Sequence, residues 1–104
     1  MWLTGSFFYN LNCNLSNRTK VFVTYELGTI DCFVADNDTY FCVAYVAAPS
    51  PTMQTFAIIS GNEYGTTISV LLESTNTKIK LSNQTVQLES IYGNGCYMLA
   101  FKLR

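Results

Sequence analysis

The sequence predicts an all-β fold, an antiparallel β-sandwich of about eight short strands forming a single domain over residues 1–104. Three observations predict it. Apolar and polar residues alternate with a period of two along most of the chain. Clusters of Gly, Asn, Asp, Pro and Ser punctuate these runs every ~8–12 residues. No stretch sustains a helical period.

Tyr9–Ser16 alternates without a fault and reads as a half-buried strand. Ser16–Thr19 turns the chain into a second run, with Val21, Val23, Tyr25 and Leu27 on one face and Lys20, Thr24 and Glu26 on the other. Gly28 is expected to end it. Ile30, Cys32 and Val34 then alternate with Asp31 and Phe33. Asp36-Asn37-Asp38 is strong turn chemistry, because Asn and Asp bond their own backbone and tolerate left-handed geometry. Thr39–Ala47 is apolar on both faces and reads as a central strand. The Pro49 and Pro51 segment cannot join a sheet ladder. Thr55–Ser60 and Thr66–Glu73 follow as strands about the turn at 61–65. Two short amphipathic strands carry Ile79 with Leu81 and Val86 with Leu88, and Cys96–Leu103 is the last strand.

Composition narrows the class. Only 12% of the residues are charged and the net charge is −1, against about 25% charged in an average domain. Nine Asn and twenty Ser or Thr must therefore supply the polar surface, as in secreted glycoproteins whose glycan adds solubility. The six basic residues come in pairs, Arg18 with Lys20, Lys78 with Lys80 and Lys102 with Arg104, which is not the concentrated charge that nucleic acid requires. No apolar run, that around Cys42–Ala48 included, approaches the length of a membrane-spanning helix. Met1–Ser6 lacks the basic start and apolar stretch of a signal peptide, so an extracellular protein is expected to have lost its leader.

The four cysteines are Cys13, Cys32, Cys42 and Cys96. Three pairings are open. A three-residue hairpin loop at 36–38 would set Cys42 opposite Cys32, within disulfide reach, and leave Cys13 for Cys96. With no His and no short Cys spacing, neither a metal site nor a cofactor is expected. Asn14, Asn17, Asn37 and Asn83 each begin an N-glycosylation acceptor triplet.

Asp36-Asn37-Asp38-Thr39-Tyr40-Phe41-Cys42 resembles the D-x-x-x-Y-x-C segment of immunoglobulin-like domains. Tyr40 and Cys42 match that family's corner tyrosine and second cysteine, and Cys13 between two Asn resembles its B strand. Cys13 and Cys42 lie closer in sequence than the family's usual disulfide, and Phe22 or Tyr25 stands where it has a core Trp. The resemblance implies a sandwich that recognises a partner rather than one that catalyses.

Absence of His removes the usual nucleophile-base pairs, so no catalytic residue and no enzyme is expected. A hydrolase would need two carboxylates facing one cleft. Trp2, Tyr45, Tyr64 and Tyr92 are the candidates for a binding surface, since Tyr combines area with a polar tip. These readings converge on an extracellular recognition domain, from a cell surface or a virus, binding a protein or a glycan. The alternative is a homo-oligomeric filament or coat subunit assembled by β-strand exchange.

Overall fold

The computed structural model describes residues 18–46, 54–91 and 95–103. They form eight strands and no helix: β1 (Thr19–Thr24), β2 (Gly28–Val34), β3 (Thr39–Val46), β4 (Gln54–Asn62), β5 (Gly65–Leu72), β6 (Thr77–Ser82), β7 (Thr85–Ser90) and β8 (Cys96–Lys102). Two antiparallel sheets result. One has five strands in the order β1-β8-β3-β4-β5, and the other three, in the order β2-β7-β6. The fold class is therefore the expected all-β sandwich. Tyr9–Ser16 and the Pro49/Pro51 segment lie outside the described residues.

Period-two alternation places the core between the sheets. Tyr40, Cys42 and Ala44 of β3, Ala57 and Ile59 of β4, and Met98 and Ala100 of β8 face Ile79, Val86 and Leu88 of the smaller sheet, all of them buried. A second apolar cluster covers the opposite face of the larger sheet. Val43, Leu99 and Phe101 are buried there among Phe41, Tyr45 and Phe56, with Phe41 stacked between Phe56 and Phe101 at 6.1 and 6.4 Å. This explains why β3 is apolar on both faces: it is the middle strand of five. The outer face of the smaller sheet is polar instead, carrying the Lys80–Glu89 pair at 3.3 Å and the bond from Gln87 Nε2 to Asp31 Oδ1 at 2.8 Å.

Several expectations need correction. β1 stops at Thr24, so Tyr25 and Leu27 lie in the following turn, both 67% exposed. Gly28 opens β2 rather than ending the previous strand, at a φ of 113° that disfavours other residues. A bulge between Asp31 and Phe33 breaks the alternation of β2, so Phe33 turns into the core and Val34 is half exposed. The hairpin expected at 36–38 is instead a crossover between sheets: β2 pairs with β7, and β3 with β4 and β8. Cys32 and Cys42 are consequently not cross-strand neighbours, and Cys32, Cys42 and Cys96 are free thiols. The bridge expected between Cys13 and Cys96 falls on Cys13, which lies outside the described residues.

The two layers are tied by a buried polar knot as well as by the core. Thr55 Oγ1 on β4 donates to the Thr77 carbonyl on β6 at 2.7 Å and lies 3.0 Å from Thr77 Oγ1. It also accepts from the Ser74 N–H at 2.9 Å. Thr55 and Thr77 are both fully buried.

Candidate functional site

The β2–β3 crossover and the β4–β5 turn meet at one end of the sandwich, and the candidate site lies between and around them. Asp36 adopts a left-handed φ of 51° there, which Asp tolerates better than most residues. Hydrogen bonds fix the crossover on both sides. Ala35 N–H donates to the Gln84 carbonyl at 2.9 Å, Asp38 N–H to the Ala35 carbonyl at 3.0 Å, and Gly61 N–H to the Asp38 carbonyl at 3.0 Å. Gly61 permits the last contact. A Cβ at that position would overlap the Asp36 carbonyl oxygen and lie 2.9 Å from its carbon.

Two clefts flank the crossover. The first, about 410 Å³, is lined by Asn37, Thr39, Ser60, Gly61, Asn62 and Glu63. Every side chain on that list can donate or accept a hydrogen bond except Gly61. Beside it stands Tyr64, whose ring is 91% exposed, in a turn closed by the Tyr64 N–H bond to Asn62 Oδ1 at 2.8 Å. The second cleft, about 440 Å³, is charged. Arg18, Lys20 and Lys102 enter it from β1 and β8, facing Asp36, Asp38 and Tyr40. Antiparallel pairing of β1 with β8 brings the first two cations next to the third.

Within the charged cleft, Lys102 Nζ lies 3.4 Å from Asp38 Oδ2. The Lys20 ammonium sits 5.9 Å above the Phe33 ring, which itself packs edge-on against Tyr40 at 4.7 Å. Burial, followed by the negative charge of Asp38, pushes the Tyr40 hydroxyl pKa above its ordinary value. The Tyr40 hydroxyl therefore remains a proton donor well above neutral pH.

Of the two aromatic candidates among the described residues, Tyr64 stands at this end and Tyr45 does not. Tyr45 lies on the apolar outer face of the larger sheet, stacked on Tyr97 at 5.1 Å, and Trp2 and Tyr92 lie outside the described residues. Asn37 and Asn83 are exposed at turns, as glycosylation requires, while Asn14 and Asn17 lie outside the described residues. Sequence reasoning missed the gathering of Arg18, Lys20 and Lys102. In the chain Arg18 and Lys20 lie about eighty residues from Lys102, and the β1–β8 register joins them. The visible signal was Asp36-Asn37-Asp38, read there as a plain turn.

The thiols are elsewhere, in the core. Burial pushes Cys42 up to about 12 and Cys32 and Cys96 up to about 11, which marks them as unreactive packing residues.

No protein-family model matches the chain, and no curated protein sequence does. Among solved structures, the fold is similar to part of tailspike protein gp49 from Acinetobacter baumannii bacteriophage Fri1, a capsular polysaccharide depolymerase. The match has a TM-score of 0.58 at 11% identity, over 81% of this chain and 17% of the tailspike chain. The likeness is one of fold, and it spans only a small part of that larger chain.

Proposed function

We propose that this domain is a glycan-recognition module of an extracellular protein, cellular or virus-borne, and that it binds without cleaving. The observation that carries the reading is the pair of polar clefts on either side of one rigid crossover, with the exposed Tyr64 ring beside them. Sugars present hydroxyls in many directions, and a lining of Asn, Asp, Ser, Thr and Glu answers them with donors and acceptors. An exposed Tyr adds an apolar surface with a polar tip at low entropic cost. Both cleft volumes fall in the range of roughly 300–1,000 Å³ common for ligand sites. The fold likeness to part of a polysaccharide-degrading tailspike supports the same ligand class. Asp36 and Asp38 share a cleft, as a glycosidase pair would, but Asp38 is already engaged by Lys102, which favours binding over hydrolysis.

A glycan array probed with the purified domain tests this. Tyr64→Ala should weaken the best ligand about tenfold, equivalent to ~1.4 kcal/mol, with the melting temperature unchanged because the ring is exposed. No release of new reducing ends is expected. A domain inert to the whole array would refute the reading, and reducing-end release abolished by Asp36→Asn would replace it with hydrolysis.

One observation favours the filament or coat subunit as a second reading. β5 is an edge strand without a charged residue, and Val70, Leu71 and Leu72 are 42, 57 and 46% exposed. Such an edge can accept another strand. Light scattering decides: a monomer at high concentration removes this reading.

A further inference from the structure

We infer that the charged cleft selects an acidic sugar, one whose ring carries a carboxylate beside its hydroxyls; the inference rests on the glycan reading of this end of the domain. Three cations and two carboxylates line the cleft, so it holds one positive charge in excess. One ion pair forms within the cleft among the described residues. Lys102 is taken by Asp38, and Lys20 lies over Phe33. Arg18 and Asp36 have no ion-pair partner among the described residues. The cleft lining thus includes a guanidinium residue and a carboxylate residue that form no ion pair among the described residues.

Both groups are anchored through the backbone. Asp36 belongs to the crossover locked by the bonds at Ala35, Asp38 and Gly61. The Arg18 carbonyl accepts the Lys102 N–H at 2.8 Å, which fixes the backbone from which the guanidinium projects. A ligand that satisfies both groups must present an anion to one and donors to the other. Guanidinium engages a carboxylate through two parallel hydrogen bonds. An ionised Asp accepts only, and vicinal sugar hydroxyls supply the donors. A neutral sugar would answer Asp36 and leave Arg18 unanswered. An inorganic anion would do the reverse.

Calorimetric titration tests the assignment. The probes are oligogalacturonate, oligoglucuronate and a sialylated oligosaccharide, each beside its carboxyl-reduced neutral counterpart. At least one acidic probe should bind tenfold or more tightly than its reduced form. Raising the salt should shrink that advantage, because exposed charges are screened. Arg18→Gln should erase the advantage, so that acidic and reduced probes bind alike. Asp36→Asn, which keeps a residue tolerant of positive φ, should weaken acidic and neutral probes alike. Circular dichroism confirms that each variant is folded. Equal affinity for acidic and reduced forms, or an advantage that survives Arg18→Gln, overturns the inference while glycan recognition stands. Failure of every acidic and neutral sugar, here and on the array, overturns both.

Discussion

Replacing Gly61 by Ala should damage fold and site together, by an amount that the crossover geometry sets. The new Cβ would overlap the Asp36 carbonyl oxygen and approach the Asp38 carbonyl oxygen to 3.3 Å. Both are backbone atoms, so no side-chain rotation relieves the contact. The crossover must lift off β4, and the bond from Gly61 N–H to the Asp38 carbonyl is stretched or lost. Overpacking of this kind costs about 1–3 kcal/mol, and the lost bond a further ~0.5–1.5 kcal/mol. A total of about 2–4 kcal/mol should lower the melting temperature by roughly 4–8 °C per kcal/mol in a domain of this size. Because both clefts share the crossover, glycan affinity should fall with stability. Gly28→Ala is the control. Its Cβ meets nothing within 4 Å, but φ is +113°, so it costs about 1–2 kcal/mol through backbone strain and leaves the site alone. Urea melts and glycan titrations of both variants separate the effects. A Gly61→Ala protein that melts within 2 °C (roughly 0.5 kcal/mol) of the parent and binds normally would refute the argument.

Two further outcomes follow from the core. Thr55→Val removes the hydroxyl that joins the sheets and leaves the Ser74 N–H and the Thr77 carbonyl and hydroxyl without their partner. Each stranded buried group costs ~1–3 kcal/mol, so a loss near 3 kcal/mol is expected in urea melts, and a change under 1 kcal/mol would contradict the role assigned to the knot. For the thiols, the folded pKa values of about 11 to 12 stand above the ordinary 9.0. Their stabilising contribution is complete below pH 9, where both states are protonated. Above it the unfolded chain loses protons first, so stability falls as pH rises from 9 through the folded values. Ellman's reagent at pH 8 should leave Cys32, Cys42 and Cys96 unmodified in the native domain and react with them after denaturation.

Most strands were readable from the chain because each is set locally by two-residue alternation. β3 even revealed its central place, since only a strand covered on both sides is apolar on both. What escaped was non-local. The bulge at Asp31–Phe33 leaves no local mark, yet it decides which of Phe33 and Val34 is inside. Asp36-Asn37-Asp38 has the residues of a hairpin, and turn chemistry fixes only the local reversal, not the sheet that the next strand joins. β2 pairs with a strand more than fifty residues away. The site inherits the same difficulty, for Arg18 and Lys102 become neighbours only through the β1–β8 ladder.

The segment from Asp36 to Cys42 shows how one stretch of chain couples fold to site. Tyr40 is buried, and its ring packs edge-on against Phe33. Alternation along β3 sends Tyr40 and Cys42 into the same core while Phe41 faces away. Asp36 and Asp38, just before the strand, line the charged cleft together with Tyr40. Tyr40 therefore forms the floor on which the charged cleft stands, with its hydroxyl beside Asp38. Trimming the ring would open the core and lower the cleft floor at once. The hydroxyl alone can be separated from this: Tyr40→Phe keeps the packing and removes the donor next to Asp38. The Lys102–Asp38 contact, with both side chains more than a third exposed, is too solvated to hold the carboxylate by itself. Asp38 is held instead through its backbone, by its N–H bond to the Ala35 carbonyl and by the Gly61 N–H bond to its own carbonyl.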